Sequence, residues 1–317
     1  MGKYRVLVTA RSFGTADSQA LKLLEEHGCE VKKLNQAEGP IAEQLDREIP
    51  EADAVIAGLE TYDPGLMDRA GKLKVISRYG VGYDKVDLEA ARARQIAVTI
   101  TPGANGDSVA DLAVALMLAC ARNIPRMDQG IKSGNQIRPA GVEMWEKTLG
   151  VVGAGRIGKG VARRCRGFGM RILCCDQFQD PEFARSCPAE YVDLDTLVRE
   201  ADFITIHSPL TPETQNMFGS RQFRMMKKDA VLVNTARGGI VDEDALYQAL
   251  RDGEIRGAGL DATVAEPPYD SPLCGLPNCI LSPHAGAATK EASSKMSLMA
   301  ARNVIEVLET GSCRYAV

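Results

Sequence analysis

The chain holds only three histidines, His27, His207 and His284, among 317 residues. Proton-transfer chemistry that needs an imidazole therefore has three candidates. A positive surplus is also missing. Lys plus Arg number 38 against 42 Asp plus Glu, a net charge of −4, which excludes a strongly basic nucleic-acid surface. The longest apolar run, residues 112–121, is too short to span a bilayer. No basic segment followed by an apolar stretch opens the chain, so no export signal is expected. Val6 breaks the pattern that would myristoylate Gly2. Neither nucleic acid nor membrane is an expected partner. The nine cysteines are odd in number and form no C-x-x-C pair. That usage suits free thiols in a reducing cytoplasm. Cys174 and Cys175 would face opposite sides of one strand, so no metal site is expected there.

What is present is a glycine fingerprint. Thr148 to Val152 reads as a buried strand, followed by Gly153-Ala154-Gly155-Arg156-Ile157-Gly158 and a helical pattern over 159–169. A second strand over 171–175 ends at Asp176. This is a βαβ unit built to hold a dinucleotide pyrophosphate. Gly153 permits the tight turn, Gly155 bares backbone to the phosphates, and Gly158 lets helix and strand approach. The helix N-terminus, with Arg156 and Ile157, favours an anion. Asp176 can accept hydrogen bonds from ribose hydroxyls and would repel a 2′-phosphate, so NAD is expected over NADP.

Strand signals at 6–10, 31–34, 54–58, 74–77 and 97–100 alternate with helical patterns and predict a parallel sheet. The breaker cluster Thr101-Pro102-Gly103-Ala104-Asn105-Gly106 reads as a hinge. Beyond it, Ser108 and Asp111 suggest an N-cap for a helix whose 112–121 run is apolar on every face; such a helix is expected to be buried all round, between domains or against a second subunit. Residues 123–144 are less regular. Six strand signals follow, at 148–152, 171–175, 203–207, 231–235, 257–261 and 279–282. A final helix over 291–309 carries Met296, Met299, Ala300, Val304, Val307 and Leu308 at helical spacing. It is expected to return to the first domain, making that domain discontinuous: 1–101 plus 287–317, with 102–286 between.

The histidines separate by context. His27 falls in the last turn of a helix before Gly28, where a partly charged ring suits the dipole. His207 ends a strand in the cofactor domain and is a candidate for lining the cofactor cleft. His284 also ends a strand, where open α/β sheets bind ligands. Glu266, held extended by Pro267, is a candidate orienter. A carboxylate 4 Å from a charged imidazole attracts it by about 4 kcal/mol at an effective dielectric near 20. Desolvation opposes that attraction by a similar amount. Arg237, flanked by Gly238-Gly239, offers a planar fork for a substrate carboxylate. A surface acid, a structural histidine and a solvated arginine remain the bland alternatives.

These motifs resemble the D-isomer-specific 2-hydroxyacid dehydrogenase family, in particular its phosphoglycerate-dehydrogenase-like branch. The resemblance runs through Ser77-Arg78-Tyr79-Gly80-Val81-Gly82-Tyr83-Asp84, the 109–121 helix, 148–158, 206–214, 234–246, Gly259-Leu260-Asp261-Ala262 and Ser282-Pro283-His284-Ala285-Gly286. It implies two Rossmann/flavodoxin-like α/β domains with a cleft between them, the second binding NAD and carrying the dimerisation helix of a homodimer. It implies oxidation of a small D-2-hydroxy acid, or reduction of the 2-oxo acid. His284 would be the general acid/base, with Glu266 and Arg237 as its catalytic partners. Tyr79, Gly80, Val81 and Gly82 would hold the substrate carboxylate. Pro209, Thr214, Thr235, Ala236, Asp261 and Gly286 would join the cofactor site. Three positions depart from the pattern: Lys85 stands where Asn is common, Asp111 where Glu is common, and Glu60 lies in the loop where phosphoglycerate dehydrogenases place an arginine. Glu60 and the absence of a regulatory segment after Val317 put serine synthesis in doubt. Hydroxypyruvate or glyoxylate reduction, and an NAD-sensing scaffold like the family's corepressors, are the alternatives. Glu266 argues against a formate-type enzyme, which has Gln there.

Overall fold

Five strands form the first sheet: β1 (Tyr4–Val8), β2 (Cys29–Lys33), β3 (Ala54–Ala57), β4 (Val75–Arg78) and β5 (Ala97–Thr99), in the order β2-β1-β3-β4-β5. All pair in parallel. Alternate residues turn to opposite faces. Val6, Val8, Ala54, Ile56 and Val75 enter one core with Ala300, Val304 and Val307 of the helix Lys290–Thr310. Leu7, Val55, Ala57, Ile76 and Val98 enter another, against Leu45, Leu66 and Ala91. Burial on both faces explains why these strands read as unbroken apolar runs. The structure, a computed structural model, describes residues 3–317; Gly2 lies outside them.

The second sheet has seven parallel strands: β6 (Thr148–Val152), β7 (Arg171–Cys175), β8 (Ala189–Tyr191), β9 (Phe203–Ile206), β10 (Val231–Asn234), β11 (Gly257–Leu260) and β12 (Cys279–Leu281), ordered β12-β11-β10-β9-β6-β7-β8. Leu149, Val151, Ile172, Cys174 and Val233 pack on one side with the helices Gly106–Arg122 and Arg156–Cys165. Val152, Leu173, Ile204, Leu232 and Leu260 pack on the other, and Cys175 joins them. Cys174 and Cys175 do face opposite ways. The chain divides into residues 1–105 with 287–317, and residues 106–286. Both breaks fall beside glycines or alanines of polar loops.

Several local expectations change. Strand β2 spans Cys29–Lys33 rather than 31–34, with Val31 its only central apolar residue. The short edge strand β8 gives no apolar signal, because Glu190 is its middle residue. Ser108 is not an N-cap: the helix begins at Gly106, and Ser108 is buried in its first turn. Within the single chain that helix is enclosed on one side only. Ala110, Ala113, Met117 and Ala121 are buried, while Ala115 is exposed and Leu112 and Leu118 are partly so. One sheet covers only one face of a helix. Within 123–144, Ile124–Lys132 forms a regular helix. His27 caps its helix and pairs through Nδ1 with Glu309 Oε1 at 2.7 Å. No single helix among the described residues is long and apolar enough to cross a membrane.

Candidate active site

Because every strand of the second sheet runs the same way, their carboxyl ends share one edge. The strand order reverses between β6 and β9, the place where open parallel sheets leave a crevice. Gly153 follows β6 there with φ 89°, a conformation that favours glycine. A Cβ on it would also come within 2.7 Å of the His207 carbonyl carbon and Ser208 nitrogen after β9. Gly158 is required by packing: its Cβ would meet Gly153 O at 2.1 Å. Gly155 has nothing within 4 Å, so its bare backbone faces open space. The helix starts at Arg156 and its first ring closes from Lys159 N to Gly155 O. The amides of Arg156, Ile157 and Gly158 therefore lack acceptors within the helix.

Asp176 ends β7. Its Oδ2 accepts from Ala154 N at 2.6 Å and its Oδ1 from Phe178 N at 2.8 Å. The carboxylate thus ties the glycine loop to the neighbouring strand, and each oxygen keeps a second lone pair. His207 ends β9. Its Nε2 lies 2.8 Å from Thr205 Oγ1 and its Nδ1 3.3 Å from Thr235 Oγ1. Desolvation pushes its pKa down to about 3, so the ring is neutral at ordinary pH. Beyond it, Thr214 Oγ1 donates to Pro209 O at 2.7 Å and closes the 209–214 turn.

Arg237 lies just past β10. The buried Asn234 shapes this segment: its Oδ1 accepts from Ala236 N at 3.0 Å and its Nδ2 donates to Arg237 O at 2.7 Å. Sequence reasoning missed Asn234, whose one signal was an amide residue at a strand end. Arg237 Nη1 donates to Ala236 O at 2.8 Å. Gly238 has no room for a side chain, since a Cβ would sit 2.1 Å from Thr263 C and 2.3 Å from Val264 N. The arginine segment thus abuts the segment leading to Glu266.

Asp261 follows β11 and is buried. Its Oδ1 accepts from Ser282 Oγ at 2.6 Å and Ala285 N at 2.7 Å, and its Oδ2 from Gly286 N at 2.8 Å. These partners bracket His284, which adopts φ 53°, an unusual conformation for a residue with a side chain. The imidazole Nδ1 is 3.0 Å from Glu266 Oε1 and 3.1 Å from Oε2. Both side chains are partly exposed, at 31% and 25%, so reagents can reach them. Nε2 has no protein partner among the described residues. The Glu266-Pro267 peptide is cis. A further acid, Glu243, accepts from Val264 N at 2.6 Å through Oε1. Burial raises its pKa. It fastens the helix Glu243–Arg251 to the segment that carries Glu266.

The remaining candidates belong to the first unit. Tyr79 follows β4, and its hydroxyl is turned to the helix Lys290–Thr310, donating to Ser293 O at 2.9 Å and lying 3.1 Å from Ser297 Oγ. What it can offer a ligand is backbone. Gly80 has φ 146° and nothing within 4 Å of a Cβ; Val81 is 38% exposed. Arg78 Nε donates to Gly82 O at 2.9 Å and Nη1 to Ala57 O at 2.8 Å, holding this glycine loop on the sheet.

The model of the D-isomer specific 2-hydroxyacid dehydrogenase NAD binding domain matches residues 114–286. A D-3-phosphoglycerate dehydrogenase of Methanocaldococcus jannaschii is 44% identical over 293 residues, 91% of this chain but 55% of that protein. A glyoxylate reductase of Thermococcus litoralis is 42% identical over 295 residues, 90% of this chain and 89% of that protein. A solved structure from Thermus thermophilus superposes with TM-score 0.89 at 39% identity, covering 99% of both chains.

The chain belongs to the D-isomer specific 2-hydroxyacid dehydrogenases. It spans about half the length of the phosphoglycerate dehydrogenase it matches and most of the glyoxylate reductase. This dehydrogenase carries the family's NAD binding domain. Its residues fit the cofactor on structural grounds: Gly155 leaves the phosphate approach open, three helix amides await an anion, and Asp176 retains acceptor capacity beside the loop. No group of three or more metal-ligating side chains occurs among the described residues.

Proposed function

We propose that the enzyme interconverts a small D-2-hydroxy acid and its 2-oxo acid with NAD, and that it acts as a reductase of a small 2-oxo acid. The observation that carries this reading is the His284–Glu266 pair, with both carboxylate oxygens within 3.1 Å of Nδ1 and Nε2 left for a substrate. The carboxylate fixes the tautomer and steadies the ring when it is protonated. His284 Nε2 gives its proton to the carbonyl oxygen as the 2-oxo acid becomes an alcohol, or takes it back in the reverse direction. Bound nicotinamide supplies or accepts the hydride. Arg237 holds the substrate carboxylate through its fork and draws charge from the adjacent carbonyl. The exposed backbone of Gly80, Val81 and Gly82 offers amide donors suited to a carboxylate. Asp176 favours NAD over a cofactor with a 2′-phosphate, and Pro209, Thr214, Thr235, Ala236, Asp261 and Gly286 shape the cofactor's side of the site.

Glyoxylate reductases of Thermococcus and Korarchaeum, 40–42% identical to this chain, support the reductase reading. The partly open stripe on the helix Gly106–Arg122, continued by Ile124 at 50% and Ile131 at 66% exposure, supports a homodimer. Nine free cysteines support a reducing cytoplasm. The test is the fall of NADH absorbance when glyoxylate, hydroxypyruvate and other 2-oxo acids are added. His284→Ala is expected to lower turnover by roughly 10²–10⁴ with NADH binding intact. Unchanged turnover would remove His284 from its role, and no turnover of any 2-oxo acid would favour the NAD-sensing scaffold.

A further inference from the structure

We propose that the groove beside the edge strand β12 is a second ligand site, taking a small carboxylate that carries a short apolar chain. The groove holds a cavity of about 440 Å³. One wall is the chain from Gly275 to Leu281, which runs along the edge of the second sheet. The other is built from the end of the helix Gly106–Arg122 and from the helix Ile124–Lys132. All of it belongs to residues 106–286. None of Arg237, Glu266 and His284 lines it, so it is distinct from the candidate active site.

Charge selects the head of the ligand. Arg126 and Arg256 line the cavity, and no Asp or Glu does among the described residues. Arg256 is fixed in place: Nη1 donates to Asp229 Oδ1 at 3.2 Å and Nη2 donates to Ala140 O, while Nε is buried without an acceptor. Buried donors left so are rare. Arg126 is exposed and makes no hydrogen bond or ion pair among the described residues, so its whole fork is open to a carboxylate. Burial raises the pKa of the Cys120 and Cys279 thiols in the walls, and neither sets a negative charge against an anion. Leu276, Ile280 and Leu281 select the tail. Their surface favours a hydrocarbon chain and gives inorganic phosphate nothing. The groove also stays open in a dimer. Ile124 and Ile131, the exposed residues offered to a second subunit, share one face of their helix. Arg126 and Gln129 lie about 140–200° round that helix from Ile124.

Cys274 reports whether the groove is filled. It is the one exposed cysteine of the nine and lines the cavity. The experiment follows alkylation of Cys274 by iodoacetamide, read by peptide mass spectrometry, in the NADH-bound protein with hexanoate, hexanamide or inorganic phosphate. At 10 times its Kd hexanoate is expected to slow alkylation about 10-fold, since about one site in ten stays empty. Hexanamide has the chain without the charge and phosphate the charge without the chain, so neither slows it at that concentration. Arg126→Ala should raise the Kd of hexanoate about 10-fold, the worth of one hydrogen bond to a charged group. Arg126→Lys keeps the charge and should recover part of the loss. Arg237→Ala takes away the fork proposed for the substrate and should leave the protection unchanged, which tells the two sites apart. A Cys274 that does not react in the wild type would overturn the assignment, because the groove would then be closed. So would protection by hexanamide or phosphate equal to that by hexanoate, or protection that survives Arg126→Ala and is lost in Arg237→Ala.

Discussion

His207 and His284 stand at carboxyl ends of strands in one sheet, yet their surroundings give them different chemistry. His207 is held between two threonine hydroxyls and kept neutral by desolvation. His284 faces a carboxylate and keeps Nε2 for a ligand. The difference was partly readable, since the sequence paired His284 with Glu266, held extended by Pro267, and set His207 at the cofactor cleft. The neutral state of His207 was not, because the threonines that flank it come from two strands. It has a consequence for stability. A histidine whose folded pKa is depressed to about 3 binds its proton more readily in the unfolded chain, near pH 6.5. Stability from this group is present above about pH 6.5 and lost as pH falls towards 3, amounting to at most about 2 kcal/mol by pH 5. Urea unfolding at pH 7 and pH 5 checks this: His207→Gln should flatten the loss.

Among the elements, the glycine loop separates two functions within one motif. Gly158 serves packing, and Gly155, with nothing within 4 Å of a Cβ, is the proposed approach for the phosphates. Gly158→Ala forces a Cβ onto Gly153 O and is expected to destabilise the protein by at least about 1–3 kcal/mol, seen in a thermal melt. Gly155→Ala meets no protein atom, so its melting temperature should hold while NADH affinity, read by fluorescence titration, falls. A lowered melting temperature with unchanged NADH affinity for Gly155→Ala would contradict the assignment. Glu243 works at the same scale. Glu243→Ala cuts the tie to Val264 N, loosens the segment bearing Glu266, and should lower kcat about 10-fold with KM for NADH little changed. Glu243→Gln retains an acceptor and should recover most of the rate. Equal losses in both variants would point to the charge instead of the tether. The glycine roles were legible because the motif is local. Glu243 and Ser282 were not, since each acts on a segment 21 residues away that only the fold brings near. Strand β8 escaped notice for a different reason: an edge strand of three residues with a central glutamate carries no apolar pattern.

For the whole molecule, the two units predict how a ligand's effect is distributed. NADH at about 100 times its Kd adds about 2.7 kcal/mol to the unit that binds it. Hydrogen exchange should slow most in β6, β9 and the Arg156–Cys165 helix, and least in β2 and β5 of the first sheet. Equal slowing throughout would mean that the stabilisation is not centred on residues 106–286. The strand and helix order, the dinucleotide loop and the three candidate reactive residues could be read along the chain, because periodicity, glycine placement and residue chemistry are local properties. Tertiary structure alone decided the rest. It gathered the ends of parallel strands at one edge, clasped His284 through Asp261, and set Arg126 and Arg256 around one cavity beside β12. Those outcomes depend on distances between residues far apart in sequence, which only packing can set.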